Sequence, residues 1–496
     1  MSVDFKWDSP GLDKAEFIAL TSLLSMRNGG QLEPPDNFDA SHDDSTDESE
    51  DEGASQYTDD TTRPRQFTVS SKDNLRRRFL DRFAETLSKK KDARHVACAV
   101  MQEQEDRVRI WVARNEGFDQ SDSEFLSKFA SCLSNNVGGG LGGKEVPGTV
   151  PGVCLLSIEL TDPAVEAELW NILASYYEER LRYYAANLDI PEHHRAMRHL
   201  PSRSADPVQS LLSELFKSIG NESTSDINIL ASLSCKAHEI TVHPTSKQVV
   251  SDSFGQAAPL VLSQIRFLAR LRTAHRVFVE IAQVLPSFDS VDIIPLHVET
   301  MVSGPPRKPL ELAQALALIG KDCSQTTIQT YVHKSWPLER SEQAFNSLQK
   351  RRVHVHAEVQ TILGLAQSGV DTEQLFNYMG CSKRNCYLCN AFIVCYGSID
   401  TRGCHGKLYS RWSVPNVSGI SPTTRDRLVK AITGVQHAVG RGLESPIPPT
   451  RAHLPESTLG VTSSTSSRAG ERQSRTDETV LASIPIREYA FSSSLD

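Results

Sequence analysis

An α/β fold carrying a large helical block is expected of this chain, on three observations. Residues 73–92 (DNLRRRFLDRFAETLSKKKD) place Leu75, Phe79, Leu80, Phe83 and Leu87 at helical intervals, and two Val-rich runs follow directly. Between 160 and 290, three long segments carry the 3.6-residue apolar stripe of helices that pack on a core. Beyond residue 350, short strand-like and helical pieces surround a cluster of His, Glu and Cys.

Taken in order, residues 30–66 are acidic, Ser/Asp-rich and poor in aliphatics, a composition expected to stay disordered. HVACAVM (95–101), the turn-like QEQED and the alternating RVRIWVARN (107–115) make a β-hairpin. AVEAELWNILASYYEERLRYYAANL, PVQSLLSELFKSI and APLVLSQIRFLARLRTAHRVFVEIAQVL are helices, and the shorter ELAQALALIG follows them. SEQAFNSLQKRRVHVHAEVQTILGLAQSG then leads into a helix that opens on His-x-Glu. CYLCNAFIVCYG has helical spacing, HGKLYSRWSVP (405–415) is expected as a closing strand ending at Pro415, and RDRLVKAITGVQHAVGRGL is a last amphipathic helix. Residues 454–482 are a Ser/Thr-rich tail, expected to be disordered.

Composition narrows the classes. With 496 residues, 39% hydrophobic and 23% charged, the chain has room for two or three domains, or for one domain with an insertion and tails. The net charge of −9 is concentrated in residues 36–60, which hold acids and no Lys or Arg, so it does not argue against a nucleic-acid partner. MSVDFKWDSPGLDK has early acids and no apolar core, so no signal peptide is expected. No apolar run of about 18 residues exists, so no membrane span is expected. Of ten cysteines, four fall between 381 and 395, a clustering that favours metal binding over a disulfide framework. A cytoplasmic or nuclear protein, with oligomerisation open, is the expectation.

VHVHAEVQTILGL (353–365) and MGCSKRNCYLCNAFI (379–393) carry the chemistry. Cys386 and Cys389, at i and i+3, point from one helix face toward one ion, and a position in the first helical turn favours their thiolate forms. His356 supplies a third ligand, which leaves a tetrahedral Zn2+ one open position. Glu358, two residues from His356, is then free of the metal and able to move protons. That order of residues is the one in which zinc-dependent base deaminases place their ligands and proton shuttle.

His356-Ala357-Glu358 with Cys386-Tyr387-Leu388-Cys389, together with Gly380-Cys381-Ser382-Lys383 and His405-Gly406-Lys407-Leu408, resembles a fungal deaminase-like family of the cytidine deaminase-like superfamily. The likeness covers roughly 350–415 and implies a three-layer α/β/α core with a zinc-dependent hydrolytic activity on a cytosine- or adenine-type base, in a nucleotide or nucleic acid. On that analogy the chain divides into a disordered acidic region (1–66), the first part of the core (67–118), a mainly helical insertion or separate helical domain (119–345), the zinc-binding core (346–445) and a disordered tail (446–496). The resemblance also assigns Asn115, at the end of the second hairpin strand, to the substrate sugar. Where the superfamily usually has Pro before the first Cys this chain has Asn385, which is expected to cap the helix instead.

Other readings compete. Cys381 with Cys386, Cys389 and His356 can close a structural shell, and a deaminase fold can keep zinc without activity and serve as a module that binds protein or nucleic acid. Cys395, Cys404 and His354 are expected to be structural. A metallopeptidase is excluded, because Gly364 and Gln367 stand where its Ser and Asp belong and no His-Glu-x-x-His occurs. GGGLGGKE (138–145) mimics a phosphate loop, but Glu145 replaces its Ser or Thr and Pro147 and Pro151 block the helix that should follow, so it is expected to be a linker. Lys350, Arg351, Arg352, Lys383, Arg384, Arg402, Lys407 and Arg411 gather near the motif and suit either a phosphate-bearing substrate or a solvated surface. Lys383 and Tyr387 are candidate substrate contacts, and the rings of Tyr387 and Trp412 suit either base stacking or a core.

Overall fold

The hairpin lies at the centre of the structure because both of its faces are apolar. In the computed structural model, which describes residues 2–7, 11–27, 69–135, 163–198, 206–221, 226–298, 302–397, 399–444 and 446–447, the chain is a mixture of helix and small sheets. The segments 36–60, 138–145 and 454–482 lie outside the described residues.

The chain starts with strand β1 (Val3–Phe5) and helix α1 (Lys14–Met26). Helix α2 (Val69–Leu87) then leads into strands β2 (Ala97–Glu103) and β3 (Val108–Arg114) and helix α3 (Gln120–Asn135). Seven helices follow: α4 (Pro163–Tyr176), α5 (Glu178–Leu188), α6 (Pro191–Arg198), α7 (Pro207–Asn221), α8 (Ile227–Val242), α9 (Ser246–Phe254) and α10 (Ala258–Val284). Strands β4 (Val291–Pro295) and β5 (Val302–Ser303) come next, then helices α11 (Leu312–Ala317) and α12 (Leu338–Gln349). The last part runs β6 (Val353–His354), α13 (Ala357–Gln367), β7 (Gly380–Cys381), α14 (Tyr387–Tyr396), β8 (Val417–Ile420) and α15 (Pro422–Glu444).

The main sheet has the order β4-β3-β2-β7. β2 and β3 pair antiparallel with Val100 opposite Trp111, β4 runs parallel to β3, and β7 is antiparallel to β2 with Cys381 opposite Cys98. Strand residues alternate faces, so the hairpin divides its side chains between two apolar clusters. Cys98, Val100, Trp111 and Ala113 join α1, α13, α14 and α15 on one side. Ala97, Ala99, Met101, Ile110 and Val112 join α2 and the helices between 163 and 284 on the other. This double burial accounts for the continuous Val-rich character of the two runs.

Two expectations change and a third gains detail. The N-terminal region is not disordered throughout 1–66: β1 pairs with β8, and α1 is capped by the Asp13 side chain on the amides of Ala15 and Glu16. Phe17, Leu20, Leu23 and Leu24 bury against the rest, since KAEFIALTSLLSM is apolar nearly all round while the acids that weighed on the average lie beyond it. The stretch 119–345, expected as mainly helical, also gives the hairpin's own sheet a strand, β4. Its Pro295 is tolerated at a strand end on a sheet edge, where no ladder donor is required. Finally, 405–415 is not a strand. Gly403 and Gly406 turn the chain at positive φ (97° and 76°), Cys404 and Trp412 make only isolated bridges, and the strand starts after Pro415 as β8.

Two residues lock α2 against β7. Gly380 packs so closely on α2 that an added Cβ would overlap the Leu80 carbonyl and the Asp81 amide. Asp81, buried beside it, accepts hydrogen bonds from the Tyr378 hydroxyl (2.8 Å) and the Cys381 amide (3.1 Å) and faces Arg402 at 3.6 Å. Gly380→Ala is therefore expected to cost about 1–3 kcal/mol by overpacking, read as a loss in denaturant midpoint. Burial pushes the Asp81 carboxyl up to about 6, against the pull of Arg402 and Tyr378. A raised folded-state value means that Asp81 contributes most to stability below about pH 4 and that this contribution is lost as pH rises through about 6. The stability difference between Asp81→Asn and wild type should move in that direction across pH 4–7, and a difference that stays flat over the range contradicts it.

Candidate metal centre

Two helix starts build the site. His356 is the residue before α13, extended at φ −74° and ψ 156°, and its ring makes no capping bond. The amide of Ala357 is instead capped from across the sheet by Asn115, whose Oδ1 accepts it at 2.7 Å. Gln360 reinforces the joint by donating to the carbonyls of Asn115 (3.0 Å) and Val355 (2.8 Å). His356, Ala357 and Glu358 are thus pinned to the end of β3.

Cys386 is the residue before α14, and its sulfur accepts from the Cys389 amide at 3.4 Å. Cys386 itself is the cap, so Asn385 is released from the role expected of it; its side-chain amide donates to Thr401 Oγ1 (2.7 Å) and its backbone pairs with Gly403 and His405. The isolated bridge between Asn385 and Cys404 therefore clamps the start of α14.

The two starts meet. His356 Nδ1 lies 3.6 Å from Cys386 Sγ and 3.5 Å from Cys389 Sγ. A tetrahedral zinc ion, with bonds of about 2.3 Å to sulfur and about 2.05 Å to nitrogen, requires N···S edges of about 3.6 Å, so these separations fit its shell. Among the described residues, His356, Cys386 and Cys389 form the His/Cys/Asp/Glu group able to hold a metal ion. Cys381 is not part of it: its sulfur lies 3.5 Å from that of Cys98, and the closed shell of three cysteines and a histidine is not assembled.

Glu358 is buried, 3% exposed, and one carboxylate oxygen, Oε2, has no hydrogen-bond partner. Burial pushes its pKa up, with the nearby Cys386 adding to the effect and His356 opposing it. Burial also raises Cys389, whereas hydrogen bonds from Cys389 and His356 overcome burial at Cys386 and hold it well below the ordinary thiol range. The positive end of α14 favours the same thiolate.

The remaining candidates separate. Tyr387 turns its ring toward α15: it is buried, its hydroxyl donates to the Ala438 carbonyl (3.2 Å), and burial pushes its pKa up to about 12. Lys383 is half-buried on the loop between β7 and α14. Arg402 faces inward on Asp81, while Lys350, Arg351, Arg352 and Arg411 are exposed. His354 takes a surface position, with its backbone paired to Arg411 and Ser413. Cys404 accepts from the Gly406 amide and Cys395 packs against Gly434.

Two further residues lie at the site: Trp412, whose ring the sequence left open between base stacking and a core, and Tyr409, which carried no specific signal. Trp412 is buried, and its indole Nε1 donates to Cys389 Sγ at 3.2 Å. Tyr409 is exposed, with its ring centroid 5.9 Å from that of His356 and 6.0 Å from that of His405. A Tyr or Trp in an irregular loop has no periodicity that would reveal which way it faces.

The sequence model of the OTT_1508_deam family, a deaminase-like group, matches residues 355–416. That span includes His356, Glu358, Cys386 and Cys389, so over these residues the chain is similar to a cytidine deaminase-like family. No curated protein and no solved structure gives a significant match to the chain.

Purified under reducing conditions, the protein should carry about one zinc per chain by elemental analysis. Cys389→Ala should lose it and Glu358→Ala should retain it; equal retention by both variants contradicts the ligand set.

Proposed function

We propose that the protein is a zinc-dependent hydrolytic deaminase that converts the exocyclic amine of a cytosine- or adenine-type base to a carbonyl and releases ammonia. The reading places the reaction on a three-layer α/β/α core, split so that residues 119–345 enter between its second strand and its zinc-binding half. The observation that carries it is the state of Glu358: a buried carboxyl with an unpartnered oxygen, beside a ligand set of three donors rather than four. A structural metal site has no use for such a group, and an unpaired buried carboxyl oxygen is costly unless a ligand completes it.

Zinc bound by His356, Cys386 and Cys389 supplies a water whose pKa is lowered to about 7. The chain's own residues do the rest. Glu358, its pKa raised by burial, takes a proton from the attacking water, delivers it to the ring nitrogen of the base, and passes the water's second proton to the departing amine. The Asn115–Ala357 bond keeps Glu358 at a fixed offset from His356 during these transfers.

Support for a phosphate-bearing partner comes from the outer side of the site. Lys350, Arg351, Arg352 and Arg411 are exposed and lie next to the strand that ends two residues before His356, and Tyr409 offers an exposed ring near that ligand. The partner proposed is therefore a nucleotide or nucleic acid, handled in the cytoplasm or nucleus. No helix among the described residues is long and apolar enough to cross a membrane.

Glu358→Gln keeps the shape of the side chain and removes its proton. It should cut ammonia release on the order of 10²- to 10⁴-fold while leaving zinc content and melting temperature at wild-type values. Undiminished release in that variant contradicts the reading. A wild type that releases no ammonia from any base, nucleotide or single-stranded polymer would leave a zinc-stabilised binding module in its place.

A further inference from the structure

Trp412 is joined to three parts of the metal centre. Its backbone bridges to His354, two residues before the ligand His356, with the His354 amide donating to Arg411 and the Ser413 amide donating to His354. Its indole N–H reaches Cys389 Sγ at 3.2 Å. Its ring packs between Phe392 of α14 (centroids 5.9 Å apart) and Phe17 of α1 (5.7 Å), and only 1% of the residue is exposed. One residue, through its backbone and its ring, therefore links the strand just before the histidine ligand, the helix carrying the cysteine ligands and the N-terminal helix.

We propose that Trp412 is a positioning residue for the metal centre, holding the Cys389 sulfur through its indole N–H, and that Phe17 of the N-terminal helix backs it. The inference rests on the reading of His356, Cys386 and Cys389 as metal ligands. A buried sulfur with no donor would be free to rotate about its side-chain torsion; the indole fixes one direction for it, as partners behind first ligands do in metal sites. The choice of donor has an electrostatic consequence. An N–H draws charge from a thiolate without adding a formal charge, so it lowers the sulfur's donation to the ion while the site's net charge stays unchanged. Lys or Arg in the same place would bring a full positive charge into a pocket that already holds His356. The N-terminal segment acquires a role by the same geometry. Trp7 packs on Phe17 (centroids 5.2 Å) and donates its own indole N–H to the Val414 carbonyl at 2.7 Å, two residues past Trp412. Residues 2–7 and 11–27 thus form the wall behind the residue that touches the ligand.

The test uses the full chain loaded with cobalt(II), whose sulfur-to-metal charge-transfer band reports the thiolate directly. Trp412→Phe keeps a ring of similar packing and removes the N–H. It should move the band to longer wavelength and speed loss of the metal to a chelator on the order of ten-fold. Phe17→Leu loosens the packing but keeps the N–H; it should lower the melting temperature and leave the band where it is. A role in packing alone would make the two variants alike, with the band unmoved in both, and that result overturns the inference. Should Trp412→Phe fail to fold, the wild type answers the question. In protein labelled with ¹⁵N on its five indoles and loaded with ¹¹³Cd(II), one indole N–H should show coupling to the cadmium. A loaded protein in which no indole couples overturns the inference and leaves the ligand set standing, whereas a wild type that takes up neither cobalt nor cadmium overturns both.

Discussion

The site depends on one constraint: three donor atoms from two separate helix starts have to be held about 3.6 Å apart without a covalent link between them. Neither start is fixed by its own helix alone. α13 lacks a side-chain cap from His356 and takes one from Asn115 at the end of β3. α14 is held through Asn385, which is tied to the loop at 401–405. The sheet makes these attachments agree, since β7 next to β2 sets where α14 begins and β3 next to β2 sets where Asn115 lies. Gly380 and Asp81 matter for that reason, because they fix the β7 end of the frame against α2.

The far side of the sheet is secured by buried charge. Arg270 of α10 pairs with Glu85 of α2, Arg180 of α5 reaches the Ser88 carbonyl and hydroxyl, and Arg114 at the end of β3 pairs with Asp122 of α3, all largely out of solvent. Pairs of this kind gain little net stability, because desolvation offsets much of their attraction, but they penalise any other packing of the helices on the sheet. The helices between 163 and 284 are in this way fixed to the same α2 and β3 that bear on the metal centre. Arg114 is also the neighbour of Asn115, so the residue that caps the ligand helix is anchored on one side by the Arg114–Asp122 pair and on the other by Ala357.

What could be read in the sequence follows from where periodicity and fixed spacing operate. The helix at 69–87 and the hairpin were visible because their apolar residues repeat at 3.6 and at 2, and His356, Glu358, Cys386 and Cys389 because metal chemistry restricts both residue type and interval. β4 was missed because VDIIP is five residues long and sits inside a helical stretch, too short for its pattern to stand out. α1 was missed because the acids further along dominated the composition of the region, although eight of its own thirteen residues are apolar. The direction of an isolated side chain on a loop was beyond reach altogether. Asn115, expected near a sugar, is engaged by Ala357 and by the Ala93 carbonyl, Tyr387 turned to α15, and Trp412 turned to a sulfur. These outcomes are decided by packing partners 22 to 242 residues away in the chain.

The account stands on the composition of the metal shell, and X-ray absorption at the zinc edge measures it directly. A site built by His356, Cys386 and Cys389 with one open position should show two sulfur neighbours at about 2.3 Å and two light ones at about 2.0–2.1 Å, one from imidazole and one from solvent. A first shell of three or four sulfurs would bring Cys381 or another thiol into the site, close the open position, and contradict the catalytic reading at its root.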